Sequence, residues 1–582
     1  MNKYSKLILS TSLFLMQSLF TLTYAGTGYV SIGPGPRCDY NTNNSFTLTD
    51  VFATTAIEIR LVNSVTYTGQ FTPSVGVYIR GGYNHCNDAN DDIQGSTLSV
   101  LNADFQGTAL TIVNDGDYVF ENIKIINGLQ TGNGGGGGLS LDANDMSLSL
   151  DKVTLENNSA SNGAGIYKKG INNVTLIIKD SKISGNSAAL FGGGIYFSGE
   201  GELVVYGETE ISNNTAENAG GVVLSDSTLA IFVGGANSNS GIFSNKATND
   251  GGGLYMEFGS DVIITGSTRN IAGIGQVGTP GENYKIYLNE ADSDANNAGS
   301  GGGIYIYNAI INMDAITLTN NNANNGGGIY AANNASLNIS RPQLGNCQIN
   351  ALEMGCNFIS GNNAQLSGGA INSNSSNVTI EATNFNNNRA NQSTVAQLFA
   401  SQMKIYSSVL HDNGNLGTGG FVDNSAFIFG GNSDVTFVHL TAVRNRVASS
   451  FINNFNSDFK SYANIFFNDS LTGPWVNNSS AAAVTTYKCM IVDSANNLSD
   501  SVNNLVVAGS ASLTQWFDDA ANYDFHINEN GPLVDYTGTN CDLNPGNSLS
   551  PIDIDGDPRT QRRDLGADEN LSNDIIFKNG FE

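Results

Sequence analysis

Leu155 to Tyr167 reads LENNSASNGAGIY, Ile183 to Tyr196 reads ISGNSAALFGGGIY, and Ile211 to Leu224 reads ISNNTAENAGGVVL. The same pattern returns at Ile242 to Tyr255 (IFSNKATNDGGGLY), Leu318 to Tyr330 (LTNNNANNGGGIY) and Ile359 to Ile371 (ISGNNAQLSGGAI). Ile286 to Tyr305 holds a stretched copy, and Phe385 to Ala390 (FNNNRA) keeps the first half only. The unit is apolar-x-x-Asn-x-Ala, a short polar gap, then Gly-Gly-(Gly/Ala)-apolar-Tyr. It recurs at intervals of about 25 to 30 residues or near-multiples, the range in which repeats stack so that each buries the apolar face of its neighbour.

Outside the motif lie runs such as Val174 to Lys179 (VTLIIK), Leu203 to Tyr206 and Ile311 to Leu318. They are short, β-branched and often alternating, as half-buried strands require, and too interrupted by Asn for amphipathic helices. The recurring Asn158, Asn186, Asn214, Asn245, Asn321 and Asn362 suit corners. Asparagine tolerates left-handed backbone angles and can hydrogen-bond to nearby main chain or to an equivalent Asn one coil away. Gly193, Gly252, Gly327 and Gly369 mark bends where a missing Cβ permits positive φ and close approach of the next coil. A phosphate-cradling loop is disfavoured, because no helix follows these glycines and no Gly-Lys-Ser/Thr occurs. The expected fold is all-β, a right-handed single-stranded parallel β-helix, or solenoid. At about 20 to 25 residues per coil it would have some 20 coils and a length near 100 Å.

The termini set the compartment. Lys3 and Lys6, an apolar run from Leu7 to Leu22 and the exit Thr23-Tyr24-Ala25 form a secretory signal peptide over 1–25. The expected organisation continues with an N-terminal cap and first coils over 26–100, repeats over 101–545, a closing segment over 546–569 and a tail over 570–582. No later stretch approaches the roughly 18 to 20 apolar residues of a membrane-spanning helix, so none is expected in the mature chain. Export into an oxidising compartment suits three disulfides between sequence neighbours, Cys38 with Cys86, Cys347 with Cys356, and Cys489 with Cys541. The formal net charge of −27 disfavours nucleic acid and anionic lipid as partners. No CxxC occurs and the chain has only four histidines, so a zinc site of the usual spacing has no support.

The paired elements apolar-x-x-Asn and Gly-Gly-Ala-Ile, best matched by Ile359-Ser-Gly-Asn362 with Gly368-Gly-Ala-Ile371, resemble the repeats of chlamydial polymorphic outer membrane proteins. That resemblance covers about Leu155 to Ala390 and implies a β-helical passenger region acting in adhesion. A second resemblance lies at Asp553-Ile-Asp-Gly-Asp-Pro-Arg559 and Asp564-Leu-Gly-Ala-Asp-Glu569. These look like the DGxPR and DIGAxE closing segment of variable-anchor bacterial β-helix surface proteins, whose first strands Ile57 to Tyr67 and Val75 to Tyr83 resemble, and whose later coils Val435 to Asn445 resembles. The chain departs from the chlamydial pattern in showing no C-terminal membrane barrel. Its last residues, Ile575 to Glu582, resemble Phe/Gly-Phe-Glu endings of exported gammaproteobacterial proteins.

Parallel β-helices also host pectate lyases and polygalacturonases, so catalysis has to be argued from residues. Hydrolysis needs clustered carboxylates, and no Asn-Thr-Asp with Asp-Asp and Gly-His-Gly set is present. Asp91-Asp92 reads as a solvated turn beside Cys86. Lyase chemistry needs a base near a calcium cluster; Arg444, Arg446 and His439 are the only central basic group beside a strand, with His439 and Thr441 on one face. Ca²⁺ is the one cofactor left open, at Asp553, Asp555 and Asp557, where pairing with Arg559, Arg562 and Arg563 in a terminal cap is the preferred reading. The expected function is a secreted or cell-surface adhesin-like interaction protein of a Gram-negative bacterium, meeting a host-cell surface or extracellular polysaccharide. A structural envelope component and a polysaccharide lyase or hydrolase are the alternatives.

Overall fold

The computed structural model describes residues 28–492 apart from 133, 171, 236–238, 267, 279–281, 343–356, 416–420, 468–472, 481 and 489, together with 505–506, 516–519 and 524–527. A single coil explains the rest. Strand Asn173–Lys179 alternates, with Val174, Leu176 and Ile178 buried and their neighbours partly exposed. The chain turns through Asp180 at φ 47° and continues as Lys182–Ser184. It bends at Gly185, runs through Ser187–Phe191, turns at Gly192 with φ 66°, and returns as Ile195–Ser198. The following coil repeats this path in parallel register, Leu176 against Leu203, Ile183 against Ile211 and Ile195 against Val222. Like residue therefore stacks on like residue.

Among the described residues about 15 such turns form a parallel β-solenoid that is nearly all β, as the repeat implies. At the strand spacing this is a rod of about 70 Å, shorter than the expected 20 coils would give. The regular step of 28 residues is longer than the expected step of about 20 to 25, and insertions lengthen it further. Successive motif asparagines are 28 residues apart between Asn158 and Asn186, but 44 apart between Asn245 and Asn289 and 41 between Asn321 and Asn362. The 44-residue step holds an antiparallel hairpin, Arg269–Ile271 with Gly275–Val277. Its Ile271, Ile274 and Val277 cover the outward-facing Val204, Ile231 and Val233, so an apolar stripe on the outer wall is buried by an insertion. Ile311 to Leu318 is likewise two strands, Ile310–Asp314 and Ile316–Thr319, parted by Ala315 at φ 47°.

One apolar core runs the length of the rod, from Ile32 to Val492. Its N-terminal end is covered by the helix Leu48–Phe52, which begins with a Thr47/Asp50 capping box and turns Leu48, Val51 and Phe52 inward. Covering that end removes an open strand edge. The Cys38–Cys86 disulfide forms, with the Cα atoms 5.0 Å apart, and ties the first coil to the helix Cys86–Asp91. Asp91 and Asp92 are exposed: Asp91 ends that helix, and Asp92 forms the turn after it, accepting from Arg80 at 2.6 Å and from the Tyr83 hydroxyl at 2.7 Å. Cys347, Cys356, Cys489, Cys541, the leader at 1–25, the closing segment at 546–569 and the tail at 570–582 lie outside the described residues.

Each motif asparagine is fully or almost fully buried. The Asn186 Nδ2 donates to Asn214 Oδ1 at 3.0 Å and to the Leu155 carbonyl at 3.0 Å, and its backbone N–H donates to the same Oδ1 at 3.0 Å. The arrangement repeats through Asn158, Asn186, Asn214, Asn245, Asn289, Asn321, Asn362, Asn388, Asn413 and Asn445. The ladder asparagine is not itself left-handed, however. That conformation falls on the residue before it, as at Asn157, Asn213, Asn320 and Asn387. Two tasks expected of one residue are divided between neighbours, because a side chain aimed along the rod axis needs its own backbone in the ordinary region.

The glycines divide labour too. A Cβ on Gly193 would lie 2.4 Å from the Thr215 carbonyl oxygen, and equivalents at Gly252, Gly327 and Gly369 would meet Gly302, Asn363 and Thr394 oxygens at 2.3 to 2.5 Å. These are close-approach positions, while positive φ belongs to the preceding glycine, such as Gly192. Ala164, Ala219 and Ala370 each replace one glycine of a triplet, and no described triplet carries two alanines.

The Asn214→Asp variant tests the ladder. A carboxylate there cannot donate to the Ile183 carbonyl or to Asn245 Oδ1, which accept from Asn214 at 2.9 and 3.0 Å. We expect a loss on the order of 3 kcal/mol at pH 7 by urea unfolding, easing as acid protonates the side chain. Equal stability of Asp and Asn at pH 7 would contradict the assignment.

Candidate functional site

The basic residues weighed for lyase chemistry are not brought together on one outer face. His439 sits at φ 53° in the corner column shared with Ser407 and Ala463, and it is fully buried. Thr441 is buried as well, so the two do not present a common outer face. A base enclosed in the core cannot reach a polysaccharide lying outside it. Arg444 and Arg446 do reach the surface, beside Asp412 and Arg389. Among the described residues no group of three or more His, Cys, Asp or Glu is placed to hold a metal ion. Asp553, Asp555 and Asp557 lie outside those residues.

A second internal charge is satisfied where it stands. Lys168 points into the rod, and its ammonium donates to the carbonyls of Gly170 at 2.8 Å, of Ser198 at 3.0 Å and of Glu200. Burial lowers its pKa to about 8. All three donors have acceptors, which makes Lys168 a brace across two coils.

The outer wall offers more. The Tyr that closes each motif projects from the sheet containing Ile166–Lys168, Ile195–Ser198, Leu254–Glu257, Ile304–Tyr307 and Ile329–Ala332. Tyr167 stacks on Tyr196 with centroids 5.4 Å apart, Tyr255 on Tyr305 at 4.7 Å, and Tyr305 on Tyr330 at 5.3 Å. Val223 interrupts the column, and Phe191 fills the interval by packing edge-on against both Tyr196 and Tyr255. Because the rings face one another, the column shows solvent its edges and hydroxyls instead of flat apolar faces. Asp250 lies beside it, accepting the Ser300 N–H at 2.8 Å, and burial raises its carboxyl to about 6. The recurring Tyr was visible in the sequence, but its stacking depends on the coil register.

Next to this column, on the short third wall of the coils, lies an open cleft of about 550 Å³. It is lined by Ala188, Ala189, Thr215 and Ala216, by Glu217, Thr248 and Asn249, and by Asp294 from the coil beyond. Asn249 Nδ2 donates to Glu217 Oε1 at 3.0 Å. The loop carrying Asp294 is tied down by Asp292 N–H to the Asn249 carbonyl and Ser293 N–H to the Ala247 carbonyl. The small lining residues follow from the Asn-x-Ala half of the motif, whereas Asp294 comes from the insertion after Asn289. The volume falls within the roughly 300 to 1,000 Å³ of small-molecule sites, and its lining of hydroxyl, amide and carboxylate groups suits a hydroxylated ligand.

No protein-family model and no curated protein matches the chain.

Asp250 makes a pH test. Its folded pKa of about 6 exceeds the unfolded value near 3.9. The folded state therefore takes up the proton first, and this contribution to stability grows as pH falls from 7 through 6, levelling near pH 4. The wild type should gain melting temperature over that interval relative to Asp250→Asn. Parallel pH profiles for the two proteins would refute the assignment.

Proposed function

We propose that the chain is a secreted or cell-surface interaction protein of adhesin type, from a Gram-negative bacterium, that grips hydroxyl-rich polymer with the side of its solenoid. The observation that carries this reading is the cleft crossing four successive coils, lined by Ala188, Thr215, Ala216, Glu217, Asn249 and Asp294. Sugars bind through hydroxyls, and neutral amide, hydroxyl and carboxylate acceptors along a rigid rail match them without a large apolar pocket. A rail built on strands is pre-organised, so less ordering entropy is lost on binding. The resemblance of the repeats to chlamydial polymorphic outer membrane proteins, and of the closing segment to variable-anchor surface proteins, points the same way. Partners are then a host-cell surface glycan or an extracellular polysaccharide. No helix among the described residues is long and apolar enough to cross a membrane.

The test exposes the mature chain, from Gly26 onward, to host cells and a polysaccharide panel, scoring retention and newly released reducing or unsaturated ends. Ala189→Trp, which fills the cleft from an exposed lining position, and Asn249→Ala should each weaken retention roughly tenfold, about 1.4 kcal/mol. Release of sugar ends would favour an enzyme, and no retention at all would favour a structural envelope component.

A further inference from the structure

Three consecutive coils carry the sequences Asn387-Asn388-Arg389, Asp412-Asn413-Gly414 and Arg444-Asn445-Arg446. The central asparagines are rungs of the ladder, so the flanking residues stack in columns. Gly414 N–H donates to the Asn388 carbonyl at 3.0 Å and Arg446 N–H to the Asn413 carbonyl at 2.8 Å. Arg389, Gly414 and Arg446 thus occupy one column on successive coils, and the two arginines are separated by two coil steps, about 10 Å along the rod. The middle rung has no side chain. The gap opens a cleft of about 230 Å³, lined by Asn387, Arg389, Asp412, Gly414, Asn415 and Arg446.

The cleft is held from behind. Asp423 is fully buried and binds Arg389 at 2.6 Å, while it also accepts the Asn415 N–H at 2.8 Å. The guanidinium of Arg389 lies over the Phe421 ring at 5.0 Å. On the other side Asp412 accepts from Arg444 at 2.9 Å and meets His411 Nδ1 at 2.8 Å. Burial opposes ionisation of Asp412, but the His411 and Arg444 contacts outweigh it and hold its pKa below the usual value. Three arginines against two aspartates leave one positive charge in excess. Arg446 supplies it: it is exposed and makes no ion pair among the described residues.

We propose that this cleft binds the carboxylate of a terminal acidic sugar on an otherwise neutral glycan, which deepens the adhesin reading above and rests on it. A guanidinium offers paired N–H donors that match a carboxylate, and Asn387 and Asn415 supply amides for ring hydroxyls. The volume lies below the roughly 300 to 1,000 Å³ of sites that enclose larger ligands, so it takes one sugar unit. The net charge of −27 repels a polyanion, whereas screening over about 8 Å in physiological salt leaves a single carboxylate governed by the local arginines.

The test titrates the mature protein by calorimetry in 0.15 M salt, about physiological ionic strength. The probes are sialyllactose, lactose, a sulfated lactose and polygalacturonate. Sialyllactose should bind at least about tenfold more tightly than lactose and than the sulfated sugar, with polygalacturonate weaker per unit. Arg446→Ala should lose roughly tenfold on sialyllactose, and Arg446→Lys should recover part of it. The site is overturned if lactose binds equally, if Arg446→Ala changes nothing, or if sialyllactose does not bind. Cell-surface retention that persists while sialyllactose fails removes this site alone; loss of both removes the adhesin reading with it.

Discussion

The buried amide of the ladder asparagine is the interaction on which the other features depend. Each interior rung donates to the Oδ1 of the next and to a carbonyl of the previous coil, while its own Oδ1 receives a side-chain and a backbone N–H. An unpaired amide in that position would cost about 1 to 3 kcal/mol, so interior rungs pair with neighbours of the same kind and the end rungs turn to backbone groups. That pairing fixes the register of the coils. Once the register is fixed, the inward Ile and Leu stack into one core, the tyrosines stack into one column, and residues flanking the ladder align along the rod.

The surface follows as a consequence of alignment. Positions next to each rung repeat at the strand spacing, and departures from the repeat become features of the wall. Where Asn-x-Ala leaves alanine and threonine, the wall is low, and an insertion pinned by Asp292 borders it. Where glycine falls between two arginines, a gap appears. A uniform scaffold therefore acquires sites by local substitution, without any change in the path of the chain.

Much of this was legible in the residues. The alternation in VTLIIK, the Asn rungs and the glycine triplets predict parallel stacked coils, while the continuation of the ladder through Asn413 and Asn445, after the glycines fade, shows only in the structure. The division of labour between Asn157 and Asn158 was hidden because both are asparagine, and only backbone geometry separates them. The described coils are longer than the sequence implies, because a regular step takes 28 residues and insertions lengthen others. Strict alternation places His439 beside Thr441 on an outer face, but the strand bends at His439 and turns it inward. The two clefts were not legible, since one joins residues from three coils and the other from four, whose register is a property of the fold.

The most direct measurement is hydroxyl-radical footprinting of the mature protein alone and bound to the glycan that retains it. The account predicts protection of the side wall at Thr215, Glu217, Thr248 and Asn249, with the N-terminal cap around Phe46 unchanged. Protection at the cap with the side wall still reactive would contradict lateral binding.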